Sequence, residues 1–277
     1  MNNWPVNMLK IQYRMHDEIA AFPSLSFYGN ELVPSDSLRL RSTPLWYKHP
    51  CFPPYLIWNT GDNNNDTLGK TGSYNNKTEM RFITDLLEEF RRFFGYQKGI
   101  SISIITFYND QVDAIKESIR IDPSFKSWLG SHHIDLMIST VDGFQGCETD
   151  IAILSCVRAR QRCRGWKYSK DDIGFLRDFR RLNVAITRAK FSFWIVGQCS
   201  TLEMNPMWAT LLQNARQRQL IARCDDFRRL SSSYQHSDSL SPRGKQGKMI
   251  TSPPRNKRGK KNHGGPTRTL PHSSNKN

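Results

Sequence analysis

Three short segments carry side chains suited to handling a polyphosphate. Gln12-Tyr13-Arg14-Met15-His16 sets an arginine directly after an apolar run, Met8 to Tyr13, that reads as a buried strand. This predicts Arg14 at a strand's carboxyl edge, where open α/β sheets bind ligands. From Thr140 to Glu148 the sequence runs T-V-D-G-F-Q-G-C-E. There a strand gives way to two glycines around Gln145; glycine lets the backbone approach a ligand, and Gln145 and Glu148 offer polar side chains beside it. From Arg180 to Ala189, R-R-L-N-V-A-I-T-R-A reads as a helix. Arg181 and Arg188 lie two turns apart on it and so share a face. Arginine is always charged and forked, so Arg14, Arg181 and Arg188 suit a triphosphate. They also suit the charge that spreads over a transferring phosphoryl group.

The elements that must position these residues alternate. Strands are expected at Tyr55 to Trp58, Gly99 to Phe107, Ile134 to Thr140, Ile151 to Val157 and Phe191 to Gly197. A polar loop, Asn59 to Tyr74, follows the first. Met80, Ile83, Leu87, Phe90 and Phe94 then recur at helical spacing, with Asn76 and Glu79 as a capping box and Gly95 as the stop. Further helices are expected at Asn109 to Arg120, about Leu176 to Ala189, and Met207 to Leu220 with Pro206 in the first turn. Such alternation predicts an α/β domain with a mainly parallel sheet covered by helices on both faces. Phe191, Phe193 and Ile195 read as one core face of the last strand, Trp194 and Val196 as the other.

The charge is unevenly placed. Of the formal +15, the stretch from Ser241 to Asn277 carries ten Lys or Arg and no Asp or Glu. A basic excess favours polyanionic partners, nucleic acid first. Residues 1–229 read as the folded domain. Residues 230–277, a Ser, Pro, Gly, Lys and Arg tail, cannot bury enough apolar surface to offset their ordering entropy and read as disordered. Within the tail, Pro254 to Lys261 has three open readings: a nuclear-import cluster, a nonspecific nucleic-acid arm or a solubilising tail. The six cysteines have no C-x-x-C spacing, which reads as reduced intracellular thiols with no metal site. The amino terminus lacks a signal-peptide pattern, and no apolar run has the ~18 residues of a membrane span. The expectation is an intracellular protein, nuclear or cytoplasmic, with the tail favouring the nucleus.

The three segments together resemble superfamily 1 helicases of the nonsense-transcript regulator and senataxin type, over roughly Met8 to Ile221. Secondary matches are Phe22-Pro23-Ser24 with Phe27-Tyr28-Gly29, Ser73-Tyr74 with Asn76 and Glu79, Ile105-Thr106 with Tyr108 and Gln111, Ser155-Cys156-Val157-Arg158-Ala159, and Gly174-Phe175-Leu176. The resemblance implies the second RecA-like domain of a P-loop NTPase-type motor, closing over ATP and Mg2+ held by a first domain. It implies Arg14 and Arg188 as γ-phosphate sensor and arginine finger, Tyr13 against the adenine, Glu148 toward the ribose, and Gln145 and Gly146 as coupling residues. Thr106, Thr140 and Val141 then grip a single strand of RNA or DNA, since such motors track phosphates and stacked bases.

Alternatives stay open at several positions. Tyr13 also reads as a core aromatic, and Arg181 as a residue holding its helix to the sheet. Asp17, Cys147 and Phe107 depart from the family's usual Pro, basic residue and Pro. The insertion from Arg158 to Lys170 holds six Lys or Arg and reads as a basic contact or a solvated loop. Gly69-Lys70-Thr71 lacks the glycine that a phosphate loop needs at position 64, which is Asn64. Neither that loop nor a magnesium-binding carboxylate box occurs elsewhere in the chain. The expectation is half an ATPase site on a fragment of a longer helicase, the Met1 start just before Q-Y-R-M-H pointing the same way. A non-catalytic nucleic-acid-binding module or adaptor is the alternative.

Overall fold

The computed structural model describes residues 7–62, 64–69, 71–132, 134–160 and 173–239. In chain order its elements are β1 (Ile11–Gln12), α1 (Asp17–Phe27), β2 (Val33–Pro34), α2 (Asp36–Arg39), β3 (Tyr55–Asn59), β4 (Thr67–Leu68), β5 (Tyr74–Asn75), α3 (Lys77–Phe94), β6 (Ser101–Thr106), α4 (Asn109–Ile121), α5 (Pro123–His132), β7 (Asp135–Thr140), β8 (Thr149–Ser155), α6 (Phe179–Ile186), β9 (Ala189–Gly197), α7 (Cys199–Leu202), α8 (Pro206–Gln217), β10 (Ile221–Arg223) and α9 (Phe227–Ser239). Six strands form one parallel sheet in the order β10-β3-β9-β8-β6-β7.

Strand residues alternate between two cores, which is why the central strands read as near-continuous apolar runs. Ala152, Leu154, Phe193 and Ile195 pack with Ile19, Leu182 and Leu211 of α1, α6 and α8. Ile151, Ile153, Trp194 and Val196 pack with Ile83, Ile115 and Phe125 of α3, α4 and α5. Each fully buried Val, Leu, Ile or Phe among them contributes roughly 1.5–3 kcal/mol. The expected α/β architecture is therefore present. Phe191 departs from the alternation. A register shift between β8 and β9 breaks the two-residue period there, and Phe191 packs with the Trp46 cluster, opposite Phe193 and Ile195.

Caps follow the sequence signals. The Asn76 side chain accepts from the N–H groups of Thr78 and Glu79, Asp178 from Arg180 and Arg181, and Asn205 from Met207 and Trp208, with Pro206 opening α8. The reciprocal arm of the expected capping box is absent. Asn76 N–H donates to Gln111 Oε1 at 2.8 Å, and Glu79 turns inward.

Three expectations are corrected. The run from Met8 to Tyr13 is not a buried core strand. Only Ile11–Gln12 is extended; it pairs in parallel with Val33–Pro34 in a separate two-stranded sheet, with Leu9, Ile11 and Val33 exposed. Apolar composition alone does not place a run in the main sheet. The helix bearing Arg181 ends at Ile186, with Thr187 as its cap, because Arg188 O accepts from Thr149 N and draws the chain into β9. Arg188 therefore shares no helix face with Arg181. Finally, α9 carries order past residue 229: Ser231 is buried, and the Tyr234 ring lies 4.5 Å from that of His49 and 5.3 Å from that of Phe93. The basic tail from residue 241 lies outside the described residues, as does the insertion from 161 onward, its first residues Arg158 to Arg160 being described.

Candidate functional site

Arg14, which follows the carboxyl end of β1 as expected, meets Arg188 beside the amino ends of β8 and β9, away from the carboxyl edge of the main sheet. Gln12 makes the turn that aims Arg14: its Oε1 accepts from the N–H groups of Arg14 (3.0 Å) and Met15 (2.8 Å), and its Nε2 donates to Met15 O. Arg14 Nη1 donates to Thr187 O at 2.9 Å, and its Nε to Glu148 Oε2 at 2.9 Å. The other Glu148 oxygen takes Lys190 Nζ at 2.8 Å. Those two cations, Lys190 first, hold the Glu148 carboxyl below its ordinary pKa. Arg188 is pinned by Val184 O (2.9 Å), Thr187 Oγ1 (3.2 Å) and Cys147 O (3.4 Å). Burial, and next the Arg14 guanidinium, lower its pKa. The Glu148 carboxylate thus pairs with one guanidinium and one ammonium, with a second guanidinium, that of Arg188, held close by on the Cys147 carbonyl. A like-charge cluster of that kind is relieved by an anion, and its forked donors match phosphate oxygens.

Tyr13 is 67% exposed beside this cluster, which excludes the core-aromatic reading. Lys190 and Gln12 were missed by sequence reasoning, although both sit within two residues of the arginines they serve.

The crossover from β7 to β8, residues 141–148, runs along the first core through buried Val141 and Phe144. Gln145 is exposed in it, and Gly146 has φ +87°, a left-handed conformation that favours glycine. Arg181 is bidentate to Asp142 of this crossover, at 3.0 and 2.8 Å, with its guanidinium over the Phe175 ring. It braces the crossover against α6 and does not join the Arg14–Arg188 cluster. At the carboxyl edge, Thr106 is buried with no hydrogen-bond partner for its hydroxyl, and Val141 is buried. Thr140 is partly exposed, its hydroxyl accepting from Gly143 N–H at 3.2 Å. Of the three residues expected to grip a strand, only Thr140 presents a side chain to solvent.

A second constellation was hidden from sequence reasoning. Val157, just past β8, has φ +70°, which a β-branched residue rarely adopts. Its N–H donates to Glu79 Oε2 at 2.9 Å and its carbonyl accepts from Asn76 Nδ2 at 2.8 Å. Ser155 Oγ donates to the same Glu79 oxygen at 2.7 Å. Glu79 is wholly buried, and burial pushes its carboxyl up to about 8 against the pull of those donors. Strain of this type costs on the order of 1–3 kcal/mol and survives only where neighbours over-determine it. Here they aim Arg158 at the Tyr74 ring, 4.2 Å from its centroid, and at Asp66. The Asn76/Glu79 spacing was a signal, but it reads equally as a cap.

A family model described as an AAA domain matches residues 1–200. The chain is 38% identical over 218 residues to "Probable helicase MAGATAMA 3" of Arabidopsis thaliana, covering 78% of this chain and 25% of that protein. It is 36% identical to "Helicase sen1" of Schizosaccharomyces pombe, covering 77% and 12% respectively. To "Regulator of nonsense transcripts 1 homolog" of Drosophila melanogaster it is 35% identical, covering 77% and 17%. The chain thus spans a quarter or less of the length of these relatives. The C-terminal domain of a possible DNA helicase from Lactobacillus plantarum aligns with 77% of this chain and 99% of its own, at TM-score 0.39 and 12% identity, a likeness too distant to carry argument. This chain belongs to the AAA-domain family and is a helicase-family domain of the senataxin and nonsense-transcript-regulator type.

Proposed function

We propose that this chain is the second motor domain of an ATP-dependent helicase acting on single-stranded RNA or DNA. The observation that carries the reading is the gathering of three cations, Arg14 and Lys190 paired with the single carboxylate of Glu148 and Arg188 held on the adjacent Cys147 carbonyl. Arg188 is the arginine finger and Arg14 the γ-phosphate sensor. Glu148, expected at the ribose, also fixes Arg14 and Lys190 so that neither must reorganise on binding. Exposed Tyr13 offers a face to the adenine. Gln145 and Gly146 sit on the crossover that links this cluster to the carboxyl edge, where Thr140 faces the strand. Arg181 serves through Asp142 as a positioning residue.

ATP with Mg2+ is the energy source, its phosphate loop and metal ligands supplied by a first RecA-like domain. The donor set here fits the anion and not the metal: among the described residues no three Asp, Glu, His or Cys side chains gather. No helix among those residues is long and apolar enough to cross a membrane. An intracellular setting, nuclear if the basic tail is an import signal, goes with this reading.

The test is ATP hydrolysis with single-stranded RNA or DNA, for the chain alone and joined to a matching first domain. Turnover is expected only for the joined form, and Arg188→Ala lowers it by roughly 10³-fold or more, the scale of a lost arginine finger. A joined form that binds single strands but hydrolyses nothing, or an Arg188→Ala variant with full activity, overturns the reading in favour of a non-catalytic binding module.

A further inference from the structure

The sheet reverses its winding between β8 and β6. From β6 the chain leaves through α4 and α5 to β7 on one side; from β8 it leaves through α6 to β9 on the other. Adjacent strands whose connections diverge onto opposite faces open a crevice beyond their carboxyl ends, the usual place for a ligand in open α/β sheets. A cleft of about 490 Å³ lies there, in the 300–1,000 Å³ range of small-ligand sites. Its walls include Tyr74, Tyr108, Arg158, Gly174, Phe175 and Arg181.

The cleft is built rather than accidental. Tyr108 is its buried floor, with the rings of Tyr74 and Phe175 at 5.8 and 5.7 Å from its own. Phe175 is 53% exposed, between the buried Ile173 and Leu176. Its turn is anchored twice, by Trp208 Nε1 donating to Leu176 O at 2.8 Å and Tyr108 Oη to Ile173 O at 3.3 Å. Gly174 has φ +59°, and a Cβ there would meet Tyr108 Oη at 2.8 Å and Arg158 Nη1 at 2.9 Å. A rigid turn thus holds an aromatic ring out into solvent, at an apolar cost that burial elsewhere would avoid. Arg158 is paired with Asp66 and Arg181 with Asp142. Arg177 and Asp178 also border the cleft, Asp178 engaged in capping α6, so what the cleft offers is mainly aromatic rings and the planes of two arginines already paired.

We propose that this cleft is a seat for one unstacked nucleobase of the single strand, with Phe175 as its stacking face. The inference rests on the nucleic-acid reading above and adds a binding residue to it. A planar, uncharged, π-faced ligand matches these rings and the planes of Arg158 and Arg181, whose charges are already paired. Phosphate is not what these arginines await, so the seat contributes affinity that salt hardly changes, unlike backbone contacts.

The test uses the full chain and a fluorescein-labelled oligodeoxythymidine of about 15 nucleotides, titrated by anisotropy at several salt concentrations. Phe175→Ala is expected to weaken binding roughly tenfold, the scale of one lost base stack, with the slope of log K against log salt unchanged. Phe175→Tyr keeps the ring and is expected to bind as the parent does. An abasic oligonucleotide of the same length is expected to bind the parent chain and Phe175→Ala alike. Phe175 is half exposed and outside the core clusters, though its ring contacts Tyr108 and Arg181, so the variant's melting temperature should fall only slightly; a large fall hands the decision to Phe175→Tyr and the abasic strand. If the parent binds the strand and Phe175→Ala binds equally well, or if the loss comes with a changed salt slope, the seat is refuted while the nucleic-acid reading stands. If the parent binds no single strand at all, both fall.

Discussion

Replacing Glu79 by glutamine should make the stability of this domain markedly less dependent on pH. The Glu79 carboxyl is wholly buried under the Val157 turn, and burial raises its pKa from 4.5 to about 8. The folded state therefore keeps its proton up to about pH 8, while the unfolded chain releases it near 4.5. Between those values the folded state binds more protons, so the stabilisation is fully present below pH 4.5 and is lost as pH rises to 8. The whole shift is worth about 5 kcal/mol, and the part from pH 6 to 8 about 2 kcal/mol. His49 works in the opposite sense, since burial lowers its pKa from 6.5 to about 4; it costs stability only as pH falls through that range, and the parent-minus-variant difference cancels it. Urea unfolding followed by far-UV circular dichroism at about pH 6 and pH 8 measures the difference. The parent should lose about 2 kcal/mol more than Glu79→Gln over that interval. The substituted amide carries no titrating proton, yet its oxygen can still accept from Val157 N–H, so the variant should fold. Parallel pH curves for the two proteins would refute the reasoning, because they would mean that Glu79 is ionised and solvated at neutral pH.

Glu148→Gln should leave the unfolding free energy within about 1 kcal/mol, since both ion pairs it makes are partly exposed, while lowering ATP turnover of the two-domain form about tenfold or more by freeing Arg14. A large stability loss in urea would show that the carboxylate is a fold element instead. Gly174→Ala forces a Cβ against Tyr108 and Arg158 at positive φ; a loss of roughly 1–3 kcal/mol is expected, read as a lower urea midpoint. Trp208→Phe keeps the ring packing but leaves the buried Leu176 carbonyl without its donor, at a cost of about 1–3 kcal/mol by the same titration.

Much of the fold was written in the sequence because its signals are local. The helical period from Met80 to Phe94, the Asn76 cap and the Pro206 start each depend on neighbours within a few residues, and the helices begin and end close to where those signals lie. The apolar runs of β3, β6, β8 and β9 likewise mark buried parallel strands before any partner is known.

What local pattern could not decide was which distant residues meet. Met8 to Tyr13 is apolar enough for a core strand, yet it stays outside the main sheet and pairs with Val33–Pro34 instead. Arg181 and Arg188 look like one helix face until the chain turns into β9 at Thr187 and sends them to separate partners, Asp142 and Cys147. Glu79 reads as a cap, but tertiary packing turns it under a strained valine that lies far along the chain. Residue types and spacing specified the chemistry available to this protein. Only the packed sheet, by closing long loops at an entropy cost that burial repays, determined that Arg14 and Lys190 would meet on one carboxylate with Arg188 beside them, and that Phe175 would stand over a cleft.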